Sequence, residues 1–277
     1  MSVAAVVPTF RPDAESLLGL VQSLIGAGLP LIVTDDASPA TFDPALHAVA
    51  GLGVTVIRHE HNAGIARGLN DGLAFAASTG AQWLLTVDQD TVLPPGYVDS
   101  LLPFATPGVG VVAAEHIADT SGLISYPTKA KGGLLVTEEV IQTGSLWSVA
   151  EMQGVGGFDE TLGIDAVDAA ACLRLREHRK HVVIAPGTTL AHNLGAARQV
   201  RIFGHTLLAT GHSPARRTTM VRNRLRLAPA EFRQSPVHAF RTLRRIAVNV
   251  ALGVLVEDDR LAKAKAALRG LLPRSKR

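Results

Sequence analysis

The chain contains one cysteine, Cys172, so no disulfide framework can exist within it. That thiol falls in a stretch with helical character and reads as a buried, inert residue, and a cytoplasmic location is the expectation. Aromatic residues make up only 4% of the 277 positions, too few to build the stacking platforms that single-stranded nucleic acids use. No apolar run approaches the roughly 20 residues that span a bilayer. The longest one near the C-terminus, Ile246–Val256, is interrupted by Asn249. Ser2–Val7 is apolar but too short, and lacks the basic lead-in, for a secretory signal. Internal repeats and low-complexity linkers are also missing.

Acidic residues are scarce at one end. Residues 198–277 hold 18 Lys and Arg against 4 Asp and Glu, a net of +14. Residues 1–197 hold 9 against 20, a net of −11, so the overall +3 conceals two segments of opposite sign. A basic tail on an acidic body points to an anionic partner, and the acidic body argues against nucleic acid as that partner. An anionic membrane surface or a phosphate-bearing ligand fits better.

What the chain has in abundance is Ala, Val and Leu, with 47% apolar residues, enough for the core of one large domain with an appendage. Short apolar runs at Ser2–Val7, Leu31–Thr34, Val54–Arg58 and 82–87 read as strands covered on both faces. Helices read between them. Asp13 caps one over 14–25 that carries Leu17, Leu18, Val21, Leu24 and Ile25 on its face, Pro44 begins a short one, and a third covers 65–78. Val109–Ala114, Leu134–Thr137 and Val182–Ala185 read as further strands, 115–133 as irregular, and 165–178 as a helix. Alternating strands and helices imply an α/β fold with a doubly wound, mostly parallel, Rossmann-like sheet. Beyond 198 the pattern is helical and Arg-rich without clear strands. The expected division is therefore 1–197 as the binding and catalytic domain and 198–277 as a helical basic C-terminal appendage.

Three groups of residues carry chemistry. Asp88-Gln89-Asp90 ends the apolar run Trp83–Val87, and open α/β sheets bind ligands beyond the carboxyl ends of their strands. Two carboxylates one residue apart there suit a hard divalent cation that also engages substrate phosphates. Thr9 after the first strand, and Asp35, Asp36 and Ser38 after the second, fall at the same edge. His61 to Gly72 (HNAGIARGLNDG) joins glycines, which permit close backbone approach, to a helix N-terminus that offers N–H groups to an anion, with Arg67 nearby. Gly154–Glu160 (GVGGFDE) is a glycine-rich loop, followed by Ile164-Asp165-Ala166-Val167-Asp168, where Asp165 and Asp168 at i, i+3 would share a face of a helix start. A carboxylate there could take a proton from an acceptor hydroxyl.

In this order, PTF, DDAS, HNAGIARGLNDG, LLTVDQDT, GVGGFDE, IDAVD and CLR resemble family-2 glycosyltransferases of the GT-A fold. The DQDT form, IDxVD, His192-x-x-Gly195 and Arg222-Asn223 are most similar to rhamnosyltransferases of bacterial polysaccharide synthesis, with the likeness running from about residue 3 to 225. The resemblance implies an inverting, metal-dependent hexosyltransferase. It would move a sugar, rhamnose by preference, from a nucleoside-diphosphate donor (dTDP-rhamnose favoured) to a saccharide or lipid-linked acceptor in cell-surface polysaccharide synthesis at the inner face of the membrane. It implies Mg²⁺ or Mn²⁺ held by Asp88 and Asp90 with His192 approaching, and Asp88 also on the nucleotide sugar. It further implies Thr9, Asp36, Asn62, Gly64 and Arg67 around the nucleotide, Asp168 as general base, and Asp165, Arg222 and Asn223 near acceptor or diphosphate. The pattern departs from its relatives at Ala170, where they carry an acid, at Ala166, where they carry an aromatic, and around Arg222, where Tyr is lacking. Those departures keep a second expectation alive, a catalytically weakened nucleotide-sugar-binding protein recruited to membranes through its tail.

Pro236–Val256 reads as a helix with Val237, Phe240, Leu243, Ala247, Val250, Ala251 and Val254 at helical spacing, edged by Arg241, Arg244 and Arg245. Such a helix suits either an anionic lipid surface or docking on a core with its basic side in water.

Overall fold

A computed structural model describes residues 1–119, 122–192, 198–202, 205–209 and 211–272. The chain divides into two compact units, Met1–Asn193 and Leu194–Arg277.

The first unit starts with the expected alternation: β1 (Val3–Thr9), α1 (Ala14–Gly26), β2 (Leu31–Asp35), α2 (Asp43–Gly51), β3 (Thr55–Arg58), α3 (Ile65–Ser78) and β4 (Trp83–Thr86). Asp13 caps α1, its Oδ1 accepting from the Ser16 amide at 2.9 Å. Every residue of β2 and β4 is buried, as sheet strands covered on both faces require. α3 lies unusually close to the sheet. A Cβ at Gly68 would stand 2.5 Å from Thr34 Oγ1, and one at Gly72 would stand 2.4 Å from Val6 Cβ. Glycine at these two positions therefore sets the spacing of helix and sheet.

The unit continues with α4 (Tyr97–Leu101), β5 (Val109–Asp119), β6 (Gly122–Ser125), β7 (Lys129–Lys131), β8 (Leu134–Val136), β9 (Ser145–Ser148), α5 (Val149–Gly154), α6 (Val167–Glu177) and β10 (His181–Ala191). One mixed sheet runs β3-β2-β1-β4-β9-β5-β10-β8-β7, with β6 on β5. The β3-β2-β1-β4 part is parallel, as is the β5–β10 pair. β9 is antiparallel to both β4 and β5 and joins the two parallel blocks.

Three sequence expectations are corrected here. Residues 115–133 are not irregular, because β5 extends to Asp119 and is followed by β6 and β7. β9 was not expected, because Ser-Leu-Trp-Ser lacks the continuous apolar character of its neighbours. All four of its residues are nonetheless buried. Ser145 Oγ donates to Ile141 O at 2.7 Å, and the Trp147 indole donates to Thr86 Oγ1 at 3.0 Å, so the polar atoms are satisfied without water. Finally, α6 begins at Val167, because Asp165 (φ 65°) and Ala166 (φ 62°) both adopt left-handed backbone. Asp165 and Asp168 therefore do not share a helical face.

The second unit holds β11 (Arg198–Ile202) and β12 (His205–Ala209), an antiparallel pair that corrects the expectation of a strand-free tail. Three helices follow: α7 (Pro214–Gln234), α8 (Pro236–Leu255) and α9 (Arg260–Gly270). Buried among them, Glu257 Oε2 accepts from Arg217 Nη2 at 2.6 Å and from Lys263 Nζ at 2.9 Å. Burial alone would raise the Glu257 carboxyl. The hydrogen bonds from Lys263 and Arg217 outweigh it and hold the carboxyl down at about 2. Among the described residues no helix is long and apolar enough to cross a membrane.

Candidate active site

The parallel register sets the ends of β1, β2 and β4 side by side, with Thr9 opposite Asp35 and Val6 opposite Thr86. Past β4 the chain leaves the sheet as Asp88-Gln89-Asp90. Gln89 locks this turn to the loop after β1, its Oε1 accepting from Phe10 N at 2.9 Å and its Nε2 donating to Phe10 O at 3.3 Å. The Asp88 amide donates to Thr143 Oγ1 at 2.8 Å, and Gln142 Nε2 donates to Asp88 Oδ1.

His192, just past β10, joins this turn. Its Nε2 stands 3.6 Å from Asp88 Oδ2 and its Nδ1 4.0 Å from Asp90 Oδ1. Thr91 Oγ1 lies 3.1 Å from His192 Nδ1 and 2.8 Å from Thr143 Oγ1, so the Thr91 hydroxyl, itself held by Thr143, braces the imidazole. Asp88, Asp90 and His192 can each place one ligand atom within 4.8 Å of the others. Exposure grades outward across the three, from 10% for the His192 side chain to 28% for Asp88 and 54% for Asp90. Two carboxylate oxygens and one imidazole nitrogen, open on one side, fit a divalent cation such as Mn²⁺ that accepts both donor types and keeps room for a ligand's phosphates.

The nucleotide-side residues form a second cluster. Asp36 accepts from the amides of Ala63 at 2.7 Å and Gly64 at 2.9 Å, and Asn62 Nδ2 donates to Asp36 O at 3.3 Å. Asp36 thus shapes the loop before α3. His59, which sequence reasoning missed, bridges Asp36 (3.2 Å from Nδ1) and Asp71 (2.7 Å from Nε2). Asp71 in turn lies 3.3 Å from Arg67 Nε, whose side chain is half exposed. Thr9 is buried and turns its hydroxyl inward, to Asp35 Oδ1 at 3.3 Å. Asp35 also takes Ser38 Oγ at 2.5 Å and is fully buried, which makes it a brace for the strand ends.

Gly64 has φ +90°, and a Cβ there would meet Gly163 O at 2.5 Å, so this loop is pressed against the segment leading into α6. Asn70, within the HNAGIARGLNDG stretch, ties α3 to the glycine-rich loop. It accepts from Phe158 N at 2.8 Å and donates to Phe158 O at 3.0 Å. Arg174 holds the same loop through Asp159 at 2.8 Å. Asp168, at the start of α6, is half-buried and accepts from the Ala169 amide at 2.8 Å. Burial pushes the neighbouring Tyr126 phenol up, and the Asp168 charge adds to that shift. The Tyr126 hydroxyl accepts from Ile141 N at 3.2 Å, one residue before the Gln142 that binds Asp88. The 141–142 segment thus joins the Tyr126 hydroxyl to the Asp88 turn. Cys172, one turn on, is fully buried, and burial, with Asp168 and Glu139 adding, pushes its thiol up to about 12.

Arg222 and Asn223 are in α7 of the second unit. Arg222 Nε donates to Leu272 O at 3.4 Å and its Nη2 to Arg269 O at 3.5 Å, at the C-terminal end of α9, while Asn223 is buried. Gly195 falls outside the described residues. Of the residues that sequence reasoning missed, Gln142 and Thr143 gave no local signal, since they reach Asp88 from more than 50 positions away. Gln89 was in plain view between the two aspartates.

Comparison with known proteins supplies the rest. Residues 4–139 match Glycosyl transferase family 2. The dTDP-rhamnosyl transferase RfbF of Shigella flexneri is 28% identical over 236 residues, spanning 80% of this chain and 78% of that protein. The pre-mycofactocin glycosyltransferase of Mycobacterium tuberculosis is 29% identical over 206 residues, 69% of this chain but only 42% of that protein. Among solved structures, a mannosyltransferase from Pyrobaculum calidifontis, PcManGT in complex with GDP-Man and Mn²⁺, superposes with a TM-score of 0.60 at 15% identity. It covers 96% of this chain and 78% of that one, and the likeness shows a shared GT-A-like fold. Residues 4–139 therefore carry a glycosyl transferase family 2 domain.

Proposed function

We propose that this glycosyltransferase moves a sugar, rhamnose by preference, from a nucleoside diphosphate to a hydroxyl of a saccharide or lipid-linked acceptor in cell-surface polysaccharide synthesis, with inversion. The observation that carries the reading is the junction of Asp88, Asp90 and His192 at the sheet edge. The likeness to RfbF supports dTDP-rhamnose as donor.

In this reading Asp88, Asp90 and His192 would hold a divalent cation, Mn²⁺ or Mg²⁺. When bound, the cation would neutralise charge on the departing nucleoside diphosphate. The imidazole among the donors favours Mn²⁺ over Mg²⁺. Asp36 keeps the Ala63–Gly64 peptides in place, so that the N-terminus of α3 faces the nucleotide side, and Arg67 adds positive charge there. Gln89 and Gln142 hold Asp88 and Asp90 at fixed height above the strand ends, so little reorganisation is needed when the diphosphate arrives. Asp168 takes the proton from the attacking acceptor oxygen, which then reaches the anomeric carbon from the side opposite the leaving group. The two consecutive left-handed residues before it turn the chain so that Asp168 stands in the first turn of α6. Ala170 is buried, so it offers no acceptor contact, and acceptor recognition rests on other positions.

A thermal-shift panel of sugar nucleotides with and without Mn²⁺ tests the donor, because a ligand that binds only the folded state raises apparent stability. The reading expects dTDP-rhamnose with Mn²⁺ to give the largest shift and the transferred sugar to have inverted anomeric configuration. Retention of configuration, or transfer undiminished by EDTA, would overturn it.

A further inference from the structure

The second unit packs against the usual grain of a water-soluble bundle. Soluble helices bury their large apolar side chains and expose small and polar ones. Here α8 buries Ala239, Thr242 and Gly253 alongside Leu252, and α9 buries Ala266, Ala267 and Gly270. The seams are close: a Cβ at Gly253 would stand 2.4 Å from the Arg217 guanidinium carbon, and one at Gly270 2.7 Å from Val221 Cβ. The large apolar residues point the other way. Phe240 is 65% exposed, Leu255 62%, Leu261 79% and Leu268 63%. None of the seven apolar residues at helical spacing on α8 is buried, so that stripe is not what holds α8 to its neighbours.

Cations are interleaved with these side chains. Arg241 and Arg244 fall between Phe240 and Val248 on the exposed side of α8, and Lys265 lies between Leu261 and Leu268 on α9. Negative charge is turned away. Of the four acidic residues in the unit, Glu231 and Glu257 are buried, leaving only Asp258 and Asp259 exposed, both at the turn between the helices. Small residues inside with large apolar ones outside is the packing of helices that face lipid. An exposed apolar patch studded with Arg and Lys matches the acyl–headgroup boundary of an anionic leaflet, where chain carbons and phosphates are met together.

We infer that the exposed faces of α8 and α9 dock this protein on an anionic bilayer surface, with Phe240, Leu255, Leu261 and Leu268 entering the acyl boundary and Arg241, Arg244 and Lys265 at the phosphates. This partner goes beyond the transfer reaction and stands without it. The test is flotation of the full chain with vesicles of phosphatidylglycerol and phosphatidylcholine, without donor or acceptor. The comparison protein carries Phe240→Glu, Leu261→Glu and Leu268→Glu together, all at exposed positions. Wild type is expected to float with anionic vesicles and at least tenfold less with pure phosphatidylcholine. The triple variant should lose at least tenfold while keeping its far-ultraviolet circular dichroism. No flotation of wild type, or equal flotation of both proteins, would overturn the inference. So would a concentration-dependent dimer that the same substitutions abolish, since the face would then belong to a second copy of the chain.

Discussion

The two units use similar apolar stock in opposite ways. The sheet unit buries large side chains such as Leu85, Leu146 and Trp147 and sets carboxylates along its rim. The helical unit buries alanine and glycine in the seams of α8 and α9, with a carboxylate held by two cations, and turns Leu255, Leu261 and Leu268 outward. Hydrophobic composition by itself does not say which way a chain faces. What separates the two is where volume and charge fall relative to the backbone seams.

The sharpest way to break this comparison is to remove the rim chemistry alone. Asp168→Asn should lower transfer about a thousandfold, as loss of a general base does, while nucleotide-sugar affinity by calorimetry changes less than about twofold. Transfer that survives would move the proton acceptor elsewhere.

Next in size is the buried charge of the helical unit. Glu257→Gln leaves Arg217 and Lys263 without their anion and should cost about 3 kcal/mol. Both tryptophans, Trp83 and Trp147, lie in the sheet unit, so the substitution should move the circular-dichroism transition and leave the fluorescence transition in place. An equal shift of both would show that the units melt together. The pH sign follows from the depressed carboxyl. With the folded value at about 2 and the ordinary one at 4.5, the contribution is complete above 4.5 and fades as pH falls towards 2. Wild type and Glu257→Gln should therefore converge in stability in acid.

A smaller effect probes the sheet unit. Gly72→Ala forces a methyl against Val6 and should cost about 2 kcal/mol, this time in the fluorescence transition. The smallest expected effect is none. Native Cys172, buried and with its thiol raised to about 12, should resist iodoacetamide at pH 8 and react only on unfolding. The helical unit has no cysteine, so alkylation timed against circular dichroism reports the sheet unit alone. Rapid labelling of the folded chain would mean that α6 opens readily.

Much of the first half of the fold was legible because β1, β2 and β4 are continuous apolar runs with polar stops, each decided locally, whereas β3, expected to be covered on both faces, is an edge strand with three of its four residues exposed. β9 was not, because its serines are satisfied by partners distant in sequence, and a four-residue window cannot register that. The site split along the same line. Asp88, Asp90 and His192 were readable as residue types and do converge, but Gln142 and Thr143, which hold the Asp88 end, come from a chain crossing that no spacing encodes. Asp165 was misjudged because two adjacent left-handed residues have no signature when neither is glycine. The tail was misjudged at its hairpin, and the direction in which its large side chains point became visible only with the helices packed.

Gln89 has one more implication. The ladder between β1 and β4 ends with Val87 N donating to Val6 O at 3.0 Å, the last backbone hydrogen bond between these two strands. Gln89 works as a hand-made extra rung, gripping both sides of the Phe10 peptide with a side chain. A rung of that kind lets the two flanking aspartates peel out of the sheet plane without losing their alignment with the first loop. A glutamate in its place could accept but not donate, and the grip would become one-handed.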